Sequence, residues 1–253
     1  MNNALVIVPT YNESENISQI IRAVFALPQK FDLLIVDDGS PDGTAQLVKD
    51  LFTQYNTEGE VLHLMQRKGK QGLGTAYIAG FRWALERDYK FILQMDADFS
   101  HNPADLVNLY ETCAISGADL AIGSRYTTGV NVVNWPIGRV LLSYFASAYV
   151  RLISGLPVMD ATAGFVCYRR KVLETIPLDK IRFIGYAFQI EMKFTTWKYG
   201  FRLKEYPIIF TDRTRGQSKM SAGIFKEAFF GVIEMTVRGW FRKFIPREQP
   251  AQG

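Results

Sequence analysis

Short apolar runs alternate with helical patterns along the first half of the chain, and this alternation constrains the possible folds more than any other feature. Residues 4–8, 33–36 and 91–93 are continuous apolar runs, and apolar residues at helical spacing follow each of them. Continuous apolar runs are typical of strands that are covered on both faces. Strands that alternate with helices predict a parallel sheet built by right-handed crossovers. The sequence therefore predicts an α/β fold.

Further elements are predicted along the rest of the chain. The patterns indicate helices at 75–86, 103–116, 137–153 and 221–245, and strands near 61–65, 120–123, 166–168 and 203–210, the last interrupted by Pro207. Asn12 followed by Glu15 has the spacing of a capping box, with Asn12 as the N-cap of the first helix. Another helix is predicted to begin near residue 185, with Glu191 in its first turns.

An acidic turn follows the apolar run 91–93. It contains Asp96 and Asp98, and Pro103 opens the next predicted helix. In an open α/β sheet, ligands bind outside the carboxyl ends of the strands. Two neighbouring carboxylates repel each other, and Mg²⁺ or Mn²⁺ bound by them and by substrate phosphates would relieve that repulsion. An Asp-x-Asp pair alone is more often a solvated turn that caps a helix, but the neighbouring motifs favour a metal site.

The composition excludes several classes of protein. With 253 residues, of which 48% are hydrophobic, the chain can bury the core of one large domain. A net charge of +4 suits an anionic small ligand or an anionic membrane surface, and the sequence has no basic or aromatic pattern of nucleic-acid binding. Cys113 and Cys167 are too few for a disulfide framework, which favours a reducing compartment. The run 4–8 has no basic leader and is interpreted as a strand, not a signal peptide.

Two polar loops have compositions that suit phosphate binding. Residues 69–74 form a glycine-rich turn that could present backbone N–H groups to a diphosphate, although a turn that simply needs positive φ is equally compatible. Residues 212–219 form a cationic loop that could be a lid, a phosphate clamp or a solvated surface loop. His63 is interpreted as structural, and His101 either as an outer neighbour of Asp98 or as part of a helix cap.

Two predicted helices carry large apolar surfaces. In the helix at 137–153, Arg139, Ser143 and Ser147 form a polar stripe, which suits a phosphate head group whose tail lies on apolar surface. A core helix whose arginine meets a carboxylate is the alternative, and it is the more common arrangement. The helix at 221–245 combines basic residues with Trp and Phe, as interfacial membrane helices and core-docked helices both do.

Seven motifs together resemble family 2 glycosyltransferases of the dolichol-phosphate, or polyprenol-phosphate, mannose synthase type. They are VPTYNE at 8–13, VDDGS at 36–40, GLG at 72–74, MDADFSH at 95–101, GSRY at 123–126, TAGF at 162–165 and RTRGQSK at 213–219. The resemblance implies a GT-A fold, a Rossmann-like sheet that binds a nucleotide sugar, over residues 1–220. An amphipathic interfacial helix at 221–245 and a tail at 246–253 would follow, with no transmembrane span.

The resemblance also implies roles for individual residues. Asp96 and Asp98 would hold Mg²⁺ or Mn²⁺, and with Arg125 they form the predicted catalytic set. The donor-binding residues would be Pro9, Tyr11, Glu13, Asp37, Asp38, Gly72 and Ala97. The acceptor phosphate would be bound by Arg125, Arg139, Ser143, Arg213 and Lys219. Some family members carry a metal-shell glutamine where this chain has Ser100, so Ser100 is not expected to bind the metal.

The implied reaction is an inverting transfer of mannose from GDP-mannose to a polyprenyl monophosphate. A phosphomonoester has a second pKa of about 6, so the acceptor is already mostly dianionic at neutral pH and needs no general base. The enzyme would bind peripherally at the cytoplasmic face of a membrane, alone or with a small membrane-protein partner, and no nucleic-acid partner is expected. UDP-glucose or a UDP-aminosugar is the alternative donor, and a soluble sugar is the alternative acceptor. A non-catalytic sugar-nucleotide or lipid-binding subunit is the alternative outside the enzymes.

Overall fold

The computed structural model describes residues 2–185, 187–212, 222–241 and 244, with residues 222–228 described by their backbone alone. The strands are β1 (Ala4–Thr10), β2 (Asp32–Asp37), β3 (Leu62–Gln66), β4 (Phe91–Gln94), β5 (Leu120–Ser124), β6 (Val132–Val133), β7 (Val166–Arg169), β8 (Leu203–Pro207) and β9 (Phe210–Thr211). The helices are α1 (Ile17–Phe25), α2 (Thr44–Asp50), α3 (Phe52–Tyr55), α4 (Leu73–Leu85), α5 (Asp105–Ala114), α6 (Ile137–Ser154), α7 (Arg170–Thr175), α8 (Ala187–Lys198) and α9 (Ala222–Phe241).

A seven-stranded sheet in the order β3-β2-β1-β4-β7-β5-β8 forms the centre of the fold. The pairs β1–β2, β1–β4, β2–β3 and β5–β8 are parallel, whereas β7 runs antiparallel to β4 and to β5. The predicted α/β fold is confirmed, and so is the parallel arrangement of the first half. The complete sheet is mixed because β7 enters between β4 and β5 in the opposite direction.

Apolar side chains cover both faces of this sheet. Leu5 and Ile7 of β1 belong to a core cluster under α4 and α8, and Val6 and Val8 belong to a second cluster under α1 and α5. Successive side chains of a strand point to opposite faces. The strand β1 is therefore continuously apolar because each of its faces has its own core.

The register of the strands brings three turns to one edge of the sheet. Thr10 at the end of β1 pairs with Asp37 at the end of β2, and Ile7 pairs with Gln94 at the end of β4. The turns that follow these strands therefore lie side by side, as the carboxyl ends of parallel strands do. This edge carries most of the predicted donor-side residues.

The first helix begins later than its sequence pattern predicts. It begins at Ile17 after Asn16, and Asn12 adopts a positive φ of 57°. The predicted capping box of Asn12 and Glu15 is therefore wrong. Asn tolerates this left-handed conformation, and the Asn12 N–H donates to Ser40 Oγ at 3.0 Å. Asn12 thus links the turn after β1 to the turn after β2.

The strand predicted at 203–210 is divided into two. β8 ends at Pro207, which has no N–H to continue the ladder. β9 forms a separate parallel pair with β6, in which Val132 lies opposite Phe210 and Val133 opposite Thr211. This small sheet was not predicted, because two residues carry no periodicity.

α6 and α9 pack against each other beside the main sheet. The rings of Tyr149 and Phe229 stack with centroids 4.6 Å apart, and the Tyr149 hydroxyl donates to the Phe229 carbonyl at 2.9 Å. Val232 of α9 is buried in the core, whereas Trp240 and Phe241 are largely exposed. One side of α9 therefore docks onto the protein. In the part of the chain that the structure describes, no helix combines the length and the apolar character needed to span a bilayer.

Candidate active site

The turn after β2 is built around the buried carboxylate of Asp37. This carboxylate accepts hydrogen bonds from the hydroxyls of Thr10 at 3.0 Å and Ser40 at 2.6 Å, and from the Ser40 N–H at 3.0 Å. The neighbouring turn after β1 is held by the Glu13 N–H, which donates to Thr44 Oγ1 at 3.0 Å. Asp37 therefore orders the turn, and the contact of Asp37 or Glu13 with a nucleotide stays a prediction.

Asp38 and Arg67 connect this turn to the glycine-rich loop. Arg67 Nε lies 2.7 Å from Asp38 Oδ1, and solvent barely reaches either side chain. Arg67 Nη2 also donates to Thr75 Oγ1 in α4 at 2.8 Å. Lys70 Nζ lies 5.5 Å from the centroid of the Tyr11 ring. Two of the predicted donor-side residues, Tyr11 and Asp38, are therefore both in contact with the chain that leads into α4.

The remaining donor-side predictions fall on β1 and on two turns. Pro9 lies within β1 opposite Val36, Ala97 is buried between the two aspartates of the acidic turn, and Gly72 directly precedes α4. Gly72 has a φ of 99°, and a Cβ at this position would lie 3.1 Å from the Ile184 carbonyl oxygen. The Gly74 N–H donates to the same carbonyl at 2.8 Å. The positive φ anticipated as one alternative is thus present, and the Gly74 N–H is used within the protein.

The acidic turn lies directly after β4. The Ser100 N–H donates to Asp98 Oδ1 at 3.0 Å, and the Tyr77 hydroxyl lies 3.4 Å from Asp96 Oδ1. Burial, and after it the charge of Asp96, raises the pKa of Tyr77 well above its usual value. The phenol therefore keeps its proton and donates towards Asp96. Both predicted metal ligands thus have a neighbour that orients them.

The two carboxylates suit a hard divalent cation. Carboxylate oxygens are the ligands that Mg²⁺ and Mn²⁺ prefer, and Asp96 and Asp98 offer them from one turn at the ligand-binding edge of the sheet. Among the described residues, no group of three or more His, Cys, Asp or Glu side chains is placed to hold a metal ion. In the predicted site, Asp96 and Asp98 would supply two carboxylates, and substrate phosphates and water would complete the coordination.

His101 forms part of an aromatic layer beside the acidic turn. Its ring stacks on Phe165 with centroids 4.6 Å apart and meets the edge of Phe210 at 5.3 Å. Burial lowers the pKa of His101 to about 4, although the charge of Asp98 acts in the opposite direction. The imidazole is therefore neutral near pH 7 and packs as an aromatic side chain.

Arg125 is buried and forms an ion pair with Asp160. Its Nε donates to Asp160 Oδ2 and its Nη2 to Asp160 Oδ1, each at 2.7 Å, and its backbone N–H adds a third bond at 3.0 Å. Nη2 also lies 2.8 Å from Thr162 Oγ1. Burial, the largest single influence, would raise the pKa of Asp160, but the charge and hydrogen bonds of Arg125 and the charge of Lys193 together outweigh it, and the net shift is downward. Arg125 thus holds the segment 160–162, and its contact with a phosphate stays a prediction.

Sequence reasoning missed the residues that complete this buried network. Glu205 accepts the backbone N–H groups of Met159 at 2.7 Å and Asp160 at 2.8 Å. Lys193 is fully buried and donates to the Ala163 carbonyl. These residues lie 30 to 46 positions from their partners, so local spacing gives no sign of them. The TAGF motif at 162–165 was the one signal that pointed to this segment.

On the acceptor side, Arg139 lies in the first turn of α6 and forms an ion pair with Asp212. Arg139 Nη1 lies 2.9 Å from both carboxylate oxygens, and about a third of each side chain is exposed, 32% for Arg139 and 27% for Asp212. Arg139 thus meets a carboxylate, as the alternative drawn from the sequence expects. α6 is not the core helix of that alternative, however, because several of its large apolar side chains, among them Ile137 and Phe145, are exposed.

The ring of Trp135 brings the two predicted acceptor arginines together. The guanidinium carbon lies 4.2 Å from the Trp135 ring centroid in Arg139 and 5.6 Å in Arg125. Ser143 lies one turn further along α6 and interacts with Tyr126. Burial raises the pKa of Tyr126, and the charge of Arg125 and the interaction with Ser143 oppose this shift to a smaller extent. The structure thus groups Arg125, Arg139 and Ser143. The other two predicted acceptor residues, Arg213 and Lys219, lie outside the described residues.

Comparisons with known sequences identify relatives that cover most of the chain. Residues 5–177 match the model of the family Glycosyl transferase family 2. The polyprenol monophosphomannose synthase of Mycolicibacterium smegmatis is 46% identical over 235 residues, which cover 93% of this chain and 87% of that protein. The undecaprenyl-phosphate mannosyltransferase of Micrococcus luteus is 46% identical over 229 residues, which cover 90% of this chain and 91% of that protein.

Solved structures share the fold at low sequence identity. A mannosyltransferase from Pyrobaculum calidifontis in complex with GDP-Man and Mn²⁺ has a TM-score of 0.56 at 15% identity, covering 94% of this chain and 73% of that chain. Glucosyl-3-phosphoglycerate synthase from Mycobacterium tuberculosis has a TM-score of 0.64 at 16% identity, covering 97% of this chain and 81% of that chain. These likenesses establish a GT-A-like fold. Because the family model matches most of the sheet and two relatives are 46% identical over at least 90% of the chain, the chain belongs to glycosyl transferase family 2 and is a glycosyltransferase.

Proposed function

We propose that this glycosyltransferase transfers mannose from GDP-mannose to a polyprenyl monophosphate, with inversion at the anomeric carbon. The observation that carries the proposal is the position of Arg139. It lies in the exposed first turn of an apolar helix and pairs with Asp212, next to Thr211 of β9, whose N–H donates to the Ser100 carbonyl of the acidic turn. Two relatives, named a polyprenol monophosphomannose synthase and an undecaprenyl-phosphate mannosyltransferase, support the same chemistry at 46% identity.

On the donor side, Asp96 and Asp98 would hold Mg²⁺ or Mn²⁺ at the diphosphate of the sugar nucleotide. A cation bound there would neutralise the charge that develops on the leaving nucleoside diphosphate. Tyr77 and the Ser100 N–H orient the two carboxylates. The nucleoside would lie over the turns after β1 and β2, next to the predicted donor-side residues Pro9, Tyr11, Glu13, Asp37, Asp38, Gly72 and Ala97.

On the acceptor side, a phosphate requires positive charge and not a general base. The second pKa of a phosphomonoester is about 6, so at pH 7 the attacking oxygen is already largely deprotonated. The protein must instead hold this anion beside a donor that is also negative. Arg139 can present two N–H groups to a phosphate, and Ser143 follows one helical turn later. Arg125 would support this group from the buried side, and Arg213 and Lys219 would complete it.

The lipid part of the acceptor would lie on exposed apolar residues of α6 and α9. On α6 these are Ile137, Leu141, Leu142, Phe145 and Leu152, and on α9 they are Phe229, Phe230, Ile233, Val237, Trp240 and Phe241. Exposed apolar side chains in such number mark a site of interaction with a membrane or a partner. We infer that this surface seats the enzyme on the cytoplasmic face of a bilayer, alone or with a small membrane-protein partner.

The donor can be identified by nucleotide binding. With Mn²⁺ present, GDP should raise the melting temperature of the purified chain more than UDP does, because a ligand that binds the folded state stabilises it. A larger shift with UDP, together with transfer from UDP-glucose, would favour the alternative donor.

The acceptor can be identified from the product. Radiolabelled GDP-mannose and undecaprenyl phosphate should give a labelled product that partitions into organic solvent, and a chelator should prevent its formation. Label that stays in the aqueous phase with a soluble sugar acceptor would contradict the proposal.

A further inference from the structure

We propose that Asp212 and Trp135 are positioning residues of the acceptor site, which together hold the Arg139 guanidinium in the place where it meets the acceptor phosphate. This assignment depends on the proposed function, in which Arg139 binds that phosphate. It gives roles to two side chains that lie outside the seven sequence motifs.

The Arg139–Asp212 pair uses only part of the guanidinium. Nη1 of Arg139 lies 2.9 Å from each of the two carboxylate oxygens of Asp212. Among the described residues, Arg139 makes no other side-chain hydrogen bond, so its Nε and Nη2 groups remain for a ligand. A guanidinium can bind a phosphate through two parallel N–H groups. Asp212 therefore fixes one corner of the guanidinium and leaves an edge for an anion.

Trp135 fixes the plane of the same guanidinium. The Arg139 guanidinium carbon lies 4.2 Å from the Trp135 ring centroid, at a distance where the negative face of the ring attracts the cation. The Trp135 ring is itself held by the edge of Phe210, with centroids 5.2 Å apart. Phe210 is two residues before Asp212. The same short segment therefore holds the Trp135 ring and supplies the Asp212 carboxylate, and these are the two groups that restrain Arg139.

The backbone ties this unit to the acidic turn. The Asp212 N–H donates to the Val133 carbonyl at 3.0 Å, and the Thr211 N–H donates to the Ser100 carbonyl at 3.2 Å. Ser100 in turn binds Asp98 Oδ1 through its own N–H. A short series of hydrogen bonds thus joins the predicted metal ligand Asp98 to Arg139 by way of Asp212.

This connection matters because both reactants are anions. The acceptor oxygen must be held within about 3–3.5 Å of the anomeric carbon for an in-line attack, against the repulsion of the donor diphosphate. An Arg139 that is free to turn would still attract phosphate, but it would hold that phosphate less often in the reactive position. Loss of Asp212 should therefore lower kcat as well as raise KM for the acceptor.

The main test compares Arg139→Ala with Asp212→Ala on undecaprenyl phosphate. We expect each of the two variants to raise the acceptor KM about tenfold or more, since each loses a hydrogen bond to a charged group. We expect Asp212→Ala to lower kcat in addition. The stabilisation by GDP and Mn²⁺ should remain as in the parent protein. Asp212→Glu should recover part of the loss. Asp179→Ala removes the carboxylate of the exposed Arg82–Asp179 pair and should change neither constant.

A charge swap separates a positioning role from a purely structural one. In the double variant Arg139→Asp with Asp212→Arg, the ion pair can form again, so the melting temperature should return towards that of the parent while the acceptor KM stays high. Full recovery of the acceptor KM would mean that the pair serves the fold alone and would overturn the assignment.

The kinetic constants of the single variants distinguish the positioning role of Asp212 and Trp135 from the proposed function. If Arg139→Ala raises the acceptor KM while Asp212→Ala and Trp135→Ala leave both constants unchanged, the positioning role is wrong and the phosphate-binding role of Arg139 stands. If Arg139→Ala itself has no effect on the acceptor KM, the acceptor part of the proposed function fails. Trp135→Phe keeps an aromatic face and should be affected less than Trp135→Ala.

Discussion

Arg125 and Asp160 face each other through two N–H···O contacts of 2.7 Å, in a place where solvent hardly reaches either side chain. An ion pair of this kind adds little to stability relative to a well-packed apolar pair, because both charges lose their hydration. Each partner nevertheless depends on the other, since the loss of one would leave the charge of the other buried and uncompensated. The pair therefore fixes the segment that carries the TAGF motif.

Asp160→Ala should destabilise the protein by about 3–5 kcal/mol, because it leaves the Arg125 charge buried and unpaired. Urea denaturation of the parent and the variant measures this difference in the free energy of unfolding. Asp179→Ala is the matched control: its exposed pair with Arg82 should contribute about 1 kcal/mol or less. Equal losses in the two variants would contradict the structural role of Asp160.

Asp98→Ala should abolish Mg²⁺-dependent or Mn²⁺-dependent transfer while the fold stays intact. The variant removes one of two carboxylates that the protein offers to a cation, so electron paramagnetic resonance should detect much weaker Mn²⁺ binding in the presence of GDP. Asp88→Ala removes an exposed carboxylate just before the other end of β4 and should bind Mn²⁺ as the parent does. Undiminished transfer by Asp98→Ala would remove the basis for a metal site at this turn.

His101 should make the protein sensitive to mild acid. Burial holds the pKa of His101 at about 4 in the folded protein, below its usual 6.5. Between these values the unfolded chain takes up a proton that the folded chain does not, so stability falls as the pH falls from 6.5. By pH 5 the loss should be about 2 kcal/mol.

The chain contains two histidines, which makes this effect measurable. His101→Phe keeps a ring between Phe165 and Phe210 and should flatten the dependence of the free energy of unfolding on pH between 6.5 and 5. The pKa of His63 is also lowered by burial, but that residue is only partly buried, so His63→Phe should flatten the curve less. Identical curves for the parent and His101→Phe would contradict the burial of the His101 ring between Phe165 and Phe210.

The exposed aromatic residues of α9 should control binding to lipid vesicles. Replacing Trp240 and Phe241, which are 71% and 84% exposed, by serine should weaken co-sedimentation with anionic vesicles about tenfold or more, because apolar area no longer enters the bilayer. The melting temperature should hardly change. Ile115→Ser, at a residue that is 78% exposed outside α6 and α9, is the control and should bind vesicles as the parent does.

The sequence predicts those parts of the fold and of the candidate site that depend on local pattern. The apolar runs 4–8, 33–36 and 91–93 lie in β1, β2 and β4, whose two faces are both covered. Once these strands are assigned, the positions of the turns after them follow. The stripe of Arg139 and Ser143 on α6 was likewise visible from helical spacing. The family motifs identified further candidate site residues, which spacing alone could not have selected.

What the sequence does not reveal depends on contacts between distant residues. Nothing near Arg125 indicates that its partner is Asp160, and nothing near Arg139 indicates Asp212, 73 positions later. The direction of β7 is equally hidden, because its short run Val166-Cys167-Tyr168 fits a parallel or an antiparallel neighbour. The start of α1 was misplaced because Asn12 can either cap a helix or adopt a left-handed turn, and its contact with Ser40 decides between them.

The insertion of β7 between β4 and β5 has a consequence for the growing polypeptide on the ribosome. β5 is complete at residue 124, yet its two neighbours, β7 and β8, are synthesised only at residues 166–169 and 203–207. Until then the apolar residues Leu120, Ala121 and Ile122 have no strand to pair with, while β1 to β4 can already assemble. An unpaired apolar strand of this kind is prone to aggregate, so we expect the nascent chain to need a chaperone most during this interval.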